Sequence, residues 1–174
     1  MEDTSLQISQ ARTAGTLHEG QPEDSTYFAY PEDKTTKNAI LLLTDFMGHQ
    51  SLNAQLIADQ FAAHGYFVVM PDLFNGDAVK IPKPEGFDIN DWCENHNPPQ
   101  IAPIIDAVLE EMRENLGCER IGGVGYCFGA KYICRYVRPG ELDVGFIAHP
   151  TELTREDLMN LEGPLSIAAA GMST

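Results

Sequence analysis

Basic residues are scarce in this chain. Its 174 residues hold 11 Lys and Arg against 26 Asp and Glu, a formal net charge of −15. A surface so charged repels nucleic acid and anionic membranes, so neither is expected as a partner. Long apolar runs are lacking too, and none approaches membrane-spanning length. The four cysteines, Cys93, Cys118, Cys127 and Cys134, show no C-x-x-C or Cys/His spacing, so no metal is expected. No apolar leader precedes them, which leads to the expectation of reduced thiols in a cytoplasmic protein. Repeats and low-complexity tracts are missing as well.

Glycine, by contrast, is present where chemistry would need it. Gly125-Tyr126-Cys127-Phe128-Gly129 has the small-x-nucleophile-x-small spacing of a nucleophile elbow, the tight strand-to-helix turn that lifts a reactive side chain above the carboxyl edge of a sheet. So tight a turn strains the backbone at Cys127, and side chains two residues either side would collide with neighbouring elements. The helix opening at Phe128 brings unpaired N–H groups and a positive dipole end, which favour an anion at Cys127. The Phe128 N–H is also the donor that such an elbow supplies to the oxyanion of an acyl intermediate. A cysteine between glycines is more often packing than chemistry, but the surrounding strand–turn–helix pattern reverses that weighting. A dinucleotide loop is excluded, because Phe128 fills the third position where G-x-G-x-x-G requires glycine.

The length fits one domain. Residues 1–37 read as a polar N-terminal arm, with a turn at Gln21-Pro22-Glu23-Asp24-Ser25, one edge strand at Thr26–Tyr30, and His18 as a solvated surface residue. Residues 38–174 read as the catalytic-type domain. Apolar runs at Ala39–Leu43, Tyr66–Met70, Ile121–Tyr126, Val144–Ala148 and Leu165–Ala170 are strands of a parallel sheet. Between them, Ser51 caps a helix with Leu52, Leu56, Ile57 and Phe61 on one face. Ile101–Leu116 is amphipathic, and Thr154 with Asp157 starts a short helix. Asp72–Pro99 reads as a long irregular segment whose Trp92 and Phe87 either line a pocket or anchor the loop. His64 and His96 read as surface or loop residues. Alternating elements of these lengths predict a doubly wound, mainly parallel α/β sheet with its site at the strands' carboxyl ends.

Asn38–Asp45, Pro71-Asp-Leu-Phe74, Gly122–Lys131, Ala148-His-Pro150 and Gly163–Ala170 together resemble the dienelactone hydrolase family, especially its fungal branch, from about His18 to Ala170. The resemblance implies an α/β-hydrolase fold. It also implies a Cys-His-Asp triad that opens a small-molecule ester or lactone through an acyl-cysteine, without metal or organic cofactor. Cys127 matches the nucleophile, and Asp45 matches an acidic residue beside the resting thiol. From its position alone, Asp45 is a pocket base, an orienting group or a loop cap. The Phe46 N–H is the candidate second oxyanion donor, with an ordinary turn amide as the alternative.

In such folds the triad acid and then its His follow the elbow. Where the family reaches its acid, this chain reads Gly171-Met-Ser-Thr174. The expectation is therefore a C-terminally truncated fold, incomplete in its sheet, with impaired turnover. His149, at the end of the strand after the elbow strand, is the candidate replacement His, and His49 a candidate pocket-lining residue, with a helix-capping or surface role as its alternative. The resemblance offers no match at Asn75 for the family's substrate-carboxylate arginine. The alternative reading is a non-catalytic fragment that binds a small molecule or self-associates through its uncovered strand at Leu165–Ala170.

Overall fold

The computed structural model describes residues 15–18 and 26–169. The turn at 21–25, the His18 side chain and the terminal residues 170–174 lie outside the described parts. Among the described residues, seven strands form one sheet: β1 (Gly15–His18), β2 (Thr26–Ala29), β3 (Asn38–Leu43), β4 (Phe67–Pro71), β5 (Arg120–Tyr126), β6 (Val144–Ala148) and β7 (Leu165–Ala168). Their spatial order is β1-β2-β4-β3-β5-β6-β7. From β4 across to β7 every pairing is parallel, while β1 and β2 join antiparallel at the β4 edge. The N-terminal segment thus extends the sheet by two strands.

Five helices lie among the described residues: α1 (Leu52–Ala63), α2 (Ile89–Asn95), α3 (Pro98–Glu114), α4 (Phe128–Tyr136) and α5 (Arg155–Met159). None is long and apolar enough to cross a membrane. One face of the sheet packs Leu41, Leu43, Phe67, Val69 and Ile121 against α2, α3 and α4. The helix α3 contributes Ile101, Ile105, Leu109 and Met112, buried at spacings of three and four. Each such side chain stabilises by roughly 1.5–3 kcal/mol when removed from water. The helix begins three residues earlier than the periodicity predicts. Pro98 and Pro99 fill its first turn, where their missing N–H groups cost nothing.

The other face packs Ile40, Leu42, Val68, Met70 and Val124 against α1. Here the pattern holds for Ile57 and Phe61, which pack against this cluster, and misleads for the other two. Leu52 and Leu56 on α1 are 56% and 47% exposed, while Gln55, Ala58, Asp59 and Ala62 are buried. The helix is rotated because Asp59 Oδ1 accepts a 2.7 Å hydrogen bond from the buried Tyr27 hydroxyl on β2. The stretch expected to be irregular holds the short helix α2, begun by Asp88, whose Oδ1 accepts from the Asn90 N–H at 2.7 Å.

Candidate active site

The turn between β5 and α4 places Cys127 at φ 51° and ψ −109°, a left-handed backbone that non-glycine residues rarely adopt. Steric space on both sides makes it attainable. A Cβ on Gly129 would lie 2.3 Å from the Leu43 carbonyl oxygen, and one on Gly125 would lie 2.8 Å from the Ala130 Cα. The two glycines let α4 start directly against the tips of β3 and β5, where any side chain would meet backbone. Polar contacts complete the clamp. The Cys127 N–H donates to the Ala148 carbonyl at 3.1 Å, and the Gly129 N–H donates to the Thr44 carbonyl at 3.0 Å.

That second bond sets the α4 N-terminus beside the loop carrying Asp45 and Phe46. The Phe46 and Phe128 N–H groups make no backbone–backbone hydrogen bond among the described residues. Phe128 has none within its helix because it is the first helical residue. Asp45 Oδ1 accepts from the Met47 N–H at 2.8 Å, the geometry of a loop cap. The Phe46 carbonyl accepts from the Val79 N–H at 2.8 Å, tying this loop to the one after β4.

His149 sits at the tip of β6 with φ 38°, exposed, its ring tilted 6.1 Å from that of Tyr126. Two residues on, the Thr151 N–H donates to the Cys127 carbonyl at 3.3 Å, and its Oγ1 lies 4.0 Å from Cys127 Sγ. Thr151 is the side-chain hydrogen-bond contact of that sulfur among the described residues. Sequence reasoning missed it, because only the fold brings the β6 loop back over the elbow.

His49 lines a cleft of about 460 Å³ whose lining includes Met47, Ser51 and Lys80 but does not include Cys127. It is buried, with Nδ1 3.6 Å from Asp72 Oδ1. Asp72 accepts from the N–H groups of Phe74 at 3.0 Å and Gly76 at 2.7 Å. Burial by itself would raise the Asp72 carboxyl, but His49 and these two amides hold it below the ordinary aspartate value. Trp92 packs edge-on against Phe128 at 5.7 Å and Phe74 at 4.9 Å, and its Nε1 donates to the Asp77 carbonyl at 2.8 Å. At 7% exposure it anchors α2 beneath the elbow. His96 lies in the loop between α2 and α3 but is buried there, its ring stacked on Trp92 at 4.1 Å.

A mainly parallel sheet in this order, with a left-handed, glycine-flanked turn between inner strand β5 and the helix that follows it, has the architecture of an α/β-hydrolase. The profile described as the dienelactone hydrolase family matches residues 25–172. The chain belongs to the dienelactone hydrolase family of hydrolases. It is 54% identical over 175 residues to the hydrolase pyvD of Aspergillus violaceofuscus, a match spanning 96% of this chain and 71% of that protein. It is 46% identical to the hydrolase tropI of Talaromyces stipitatus, spanning 90% of this chain and 68% of that one. Its fold is similar to a dienelactone hydrolase-like promiscuous phosphotriesterase from metagenomic libraries. The TM-score is 0.69 at 13% identity, over 92% of this chain and 70% of that one.

Proposed function

We propose that this hydrolase cleaves carboxylic esters or lactones, with Cys127 as the nucleophile. The observation that carries the reading is the left-handed backbone at Cys127, held between two glycines whose Cβ atoms would strike backbone. Strain at a single exposed-edge thiol, maintained by its surroundings, is what a nucleophile turn requires and a packing cysteine does not. The sulfur attacks the acyl carbon and the carbonyl π electrons move to oxygen. The Phe128 and Phe46 N–H groups receive that oxyanion. Collapse expels the alcohol and leaves a thioester, which water then hydrolyses. Asp45 and His149 flank the nucleophile from the tips of β3 and β6 and are the groups assigned to proton handling.

The sulfur's contact with Thr151, rather than with an imidazole, among the described residues supports slow release of the acyl group by water in this chain. Stopped-flow mixing with p-nitrophenyl acetate, followed by intact mass, tests this. A burst ending in an acetyl adduct on Cys127, absent in Cys127→Ala, is the expected result. An undiminished burst in Cys127→Ala would refute the assignment. Steady turnover lost on His149→Ala would instead show that His149 drives release.

A further inference from the structure

The loop over Cys127 is strained twice, at His149 with φ 38° and at Glu152 with φ 53°. Left-handed backbone at a non-glycine residue persists only where other contacts hold it. Two ion pairs, one helical turn apart on α4, supply those contacts. Lys131 Nζ lies 2.7 Å from Glu152 Oε2, and Arg135 Nε lies 2.7 Å from Asp157 Oδ1. Asp157 closes a capping box with Thr154 at the start of α5, so Arg135 fixes the far end of the loop and Lys131 its middle.

The Lys131 pair is unequal. The Lys131 side chain is 8% exposed, its Nζ 5.1 Å from the Phe128 ring centroid and 5.4 Å from that of Tyr132, while the Glu152 side chain is 59% exposed. A surface carboxylate reaching down to a buried cation beside a nucleophile is not needed for core stability. An apolar residue at 131 would fill the same space without a desolvation cost. Both charges also stand within electrostatic range of Cys93, as does Cys127, so the pair and the nucleophile share one neighbourhood under the loop.

We propose that Lys131 and Glu152 are a positioning pair for Cys127, holding Thr151 against the sulfur and balancing the charge that an incoming electrophile meets there. The assignment rests on Cys127 being the reactive thiol, but its test needs no turnover. Alkylation of Cys127, followed peptide by peptide, is measured with neutral iodoacetamide and anionic iodoacetate. Glu152→Gln leaves the cation unbalanced and raises the iodoacetate-to-iodoacetamide rate ratio about threefold to tenfold at low salt. Lys131→Met lowers that ratio, and the double variant returns it to the wild-type value. Amide exchange at Thr151 quickens in both single variants.

Lys131→Met retains no buried charge, so its ratio decides the matter even if Glu152→Gln fails to fold. Equal changes with both reagents, or an unchanged ratio with unchanged Thr151 exchange, would overturn the pair's role. Neither result would touch the nucleophile assignment, which the acyl burst reports separately.

Discussion

The elbow and the β6–α5 loop face each other across Cys127 and hold the same kind of strain by different means. At the elbow, φ 51° at Cys127 is enforced by shape: two glycines remove the atoms that would push α4 away from β3 and β5. In the loop, His149 and Glu152 are held in left-handed backbone by polar ties, from the Thr151 N–H to Cys127 and from Lys131 to Glu152. Steric strain is local and all-or-none. Polar strain is distributed, graded and sensitive to pH and salt.

The largest test of that contrast is at Gly129. A methyl group there would need the space of the Leu43 carbonyl, 2.3 Å away, and backbone cannot yield as a side-chain tip can. Gly129→Ala is expected to lose about 3 kcal/mol or more, measured by denaturant unfolding, together with the Cys127 burst. Wild-type stability in Gly129→Ala would remove steric enforcement as the explanation of the elbow.

On the loop side the comparable test is Asp157. Burial raises its carboxyl, but Arg135 and the Thr154 hydroxyl and N–H outweigh burial and hold it below the ordinary value near 3.8. A carboxyl lowered in the folded state contributes stability above its unfolded pKa and loses it as pH falls through the folded value. Asp157→Asn should therefore cost about 2 kcal/mol near neutral pH. Its unfolding free energy should also fall less steeply than wild type on acidification below about pH 4. An acid limb identical to wild type would mean that Asp157 is not the ionised partner of Arg135.

The same contrast explains what could be read from the chain. The elbow was legible because its rule is written within five consecutive residues. The strands were legible because a sheet buried on both faces leaves continuous apolar runs such as Ala39–Leu43. The rotation of α1 was not, since Asp59 is buried by a hydroxyl 32 residues away. The burial of the loop residue His96 was illegible for a related reason: it comes from stacking on Trp92 in a helix that Asp88 starts within a proline-rich stretch. Lys131–Glu152 and Arg135–Asp157 span 21 and 22 residues, and no local pattern pairs them. Side chains whose partners arrive through the fold carry no signal at their own position.

The smallest effect is expected at His149. Its side chain is exposed, so truncation removes little packing, and its backbone strain is the main energetic feature. Left-handed backbone costs a non-glycine residue roughly 1–2 kcal/mol, while glycine's greater freedom in the unfolded chain costs about 0.5–1 kcal/mol in return. His149→Gly should therefore stabilise by about 0.5 kcal/mol, and His149→Ala should not. The difference between the two variants isolates backbone from side chain, because both remove the imidazole. Should Gly and Ala prove equal, the loop would be relaxed at this residue. Its polar ties would then be shaping an already favourable turn rather than restraining a strained one.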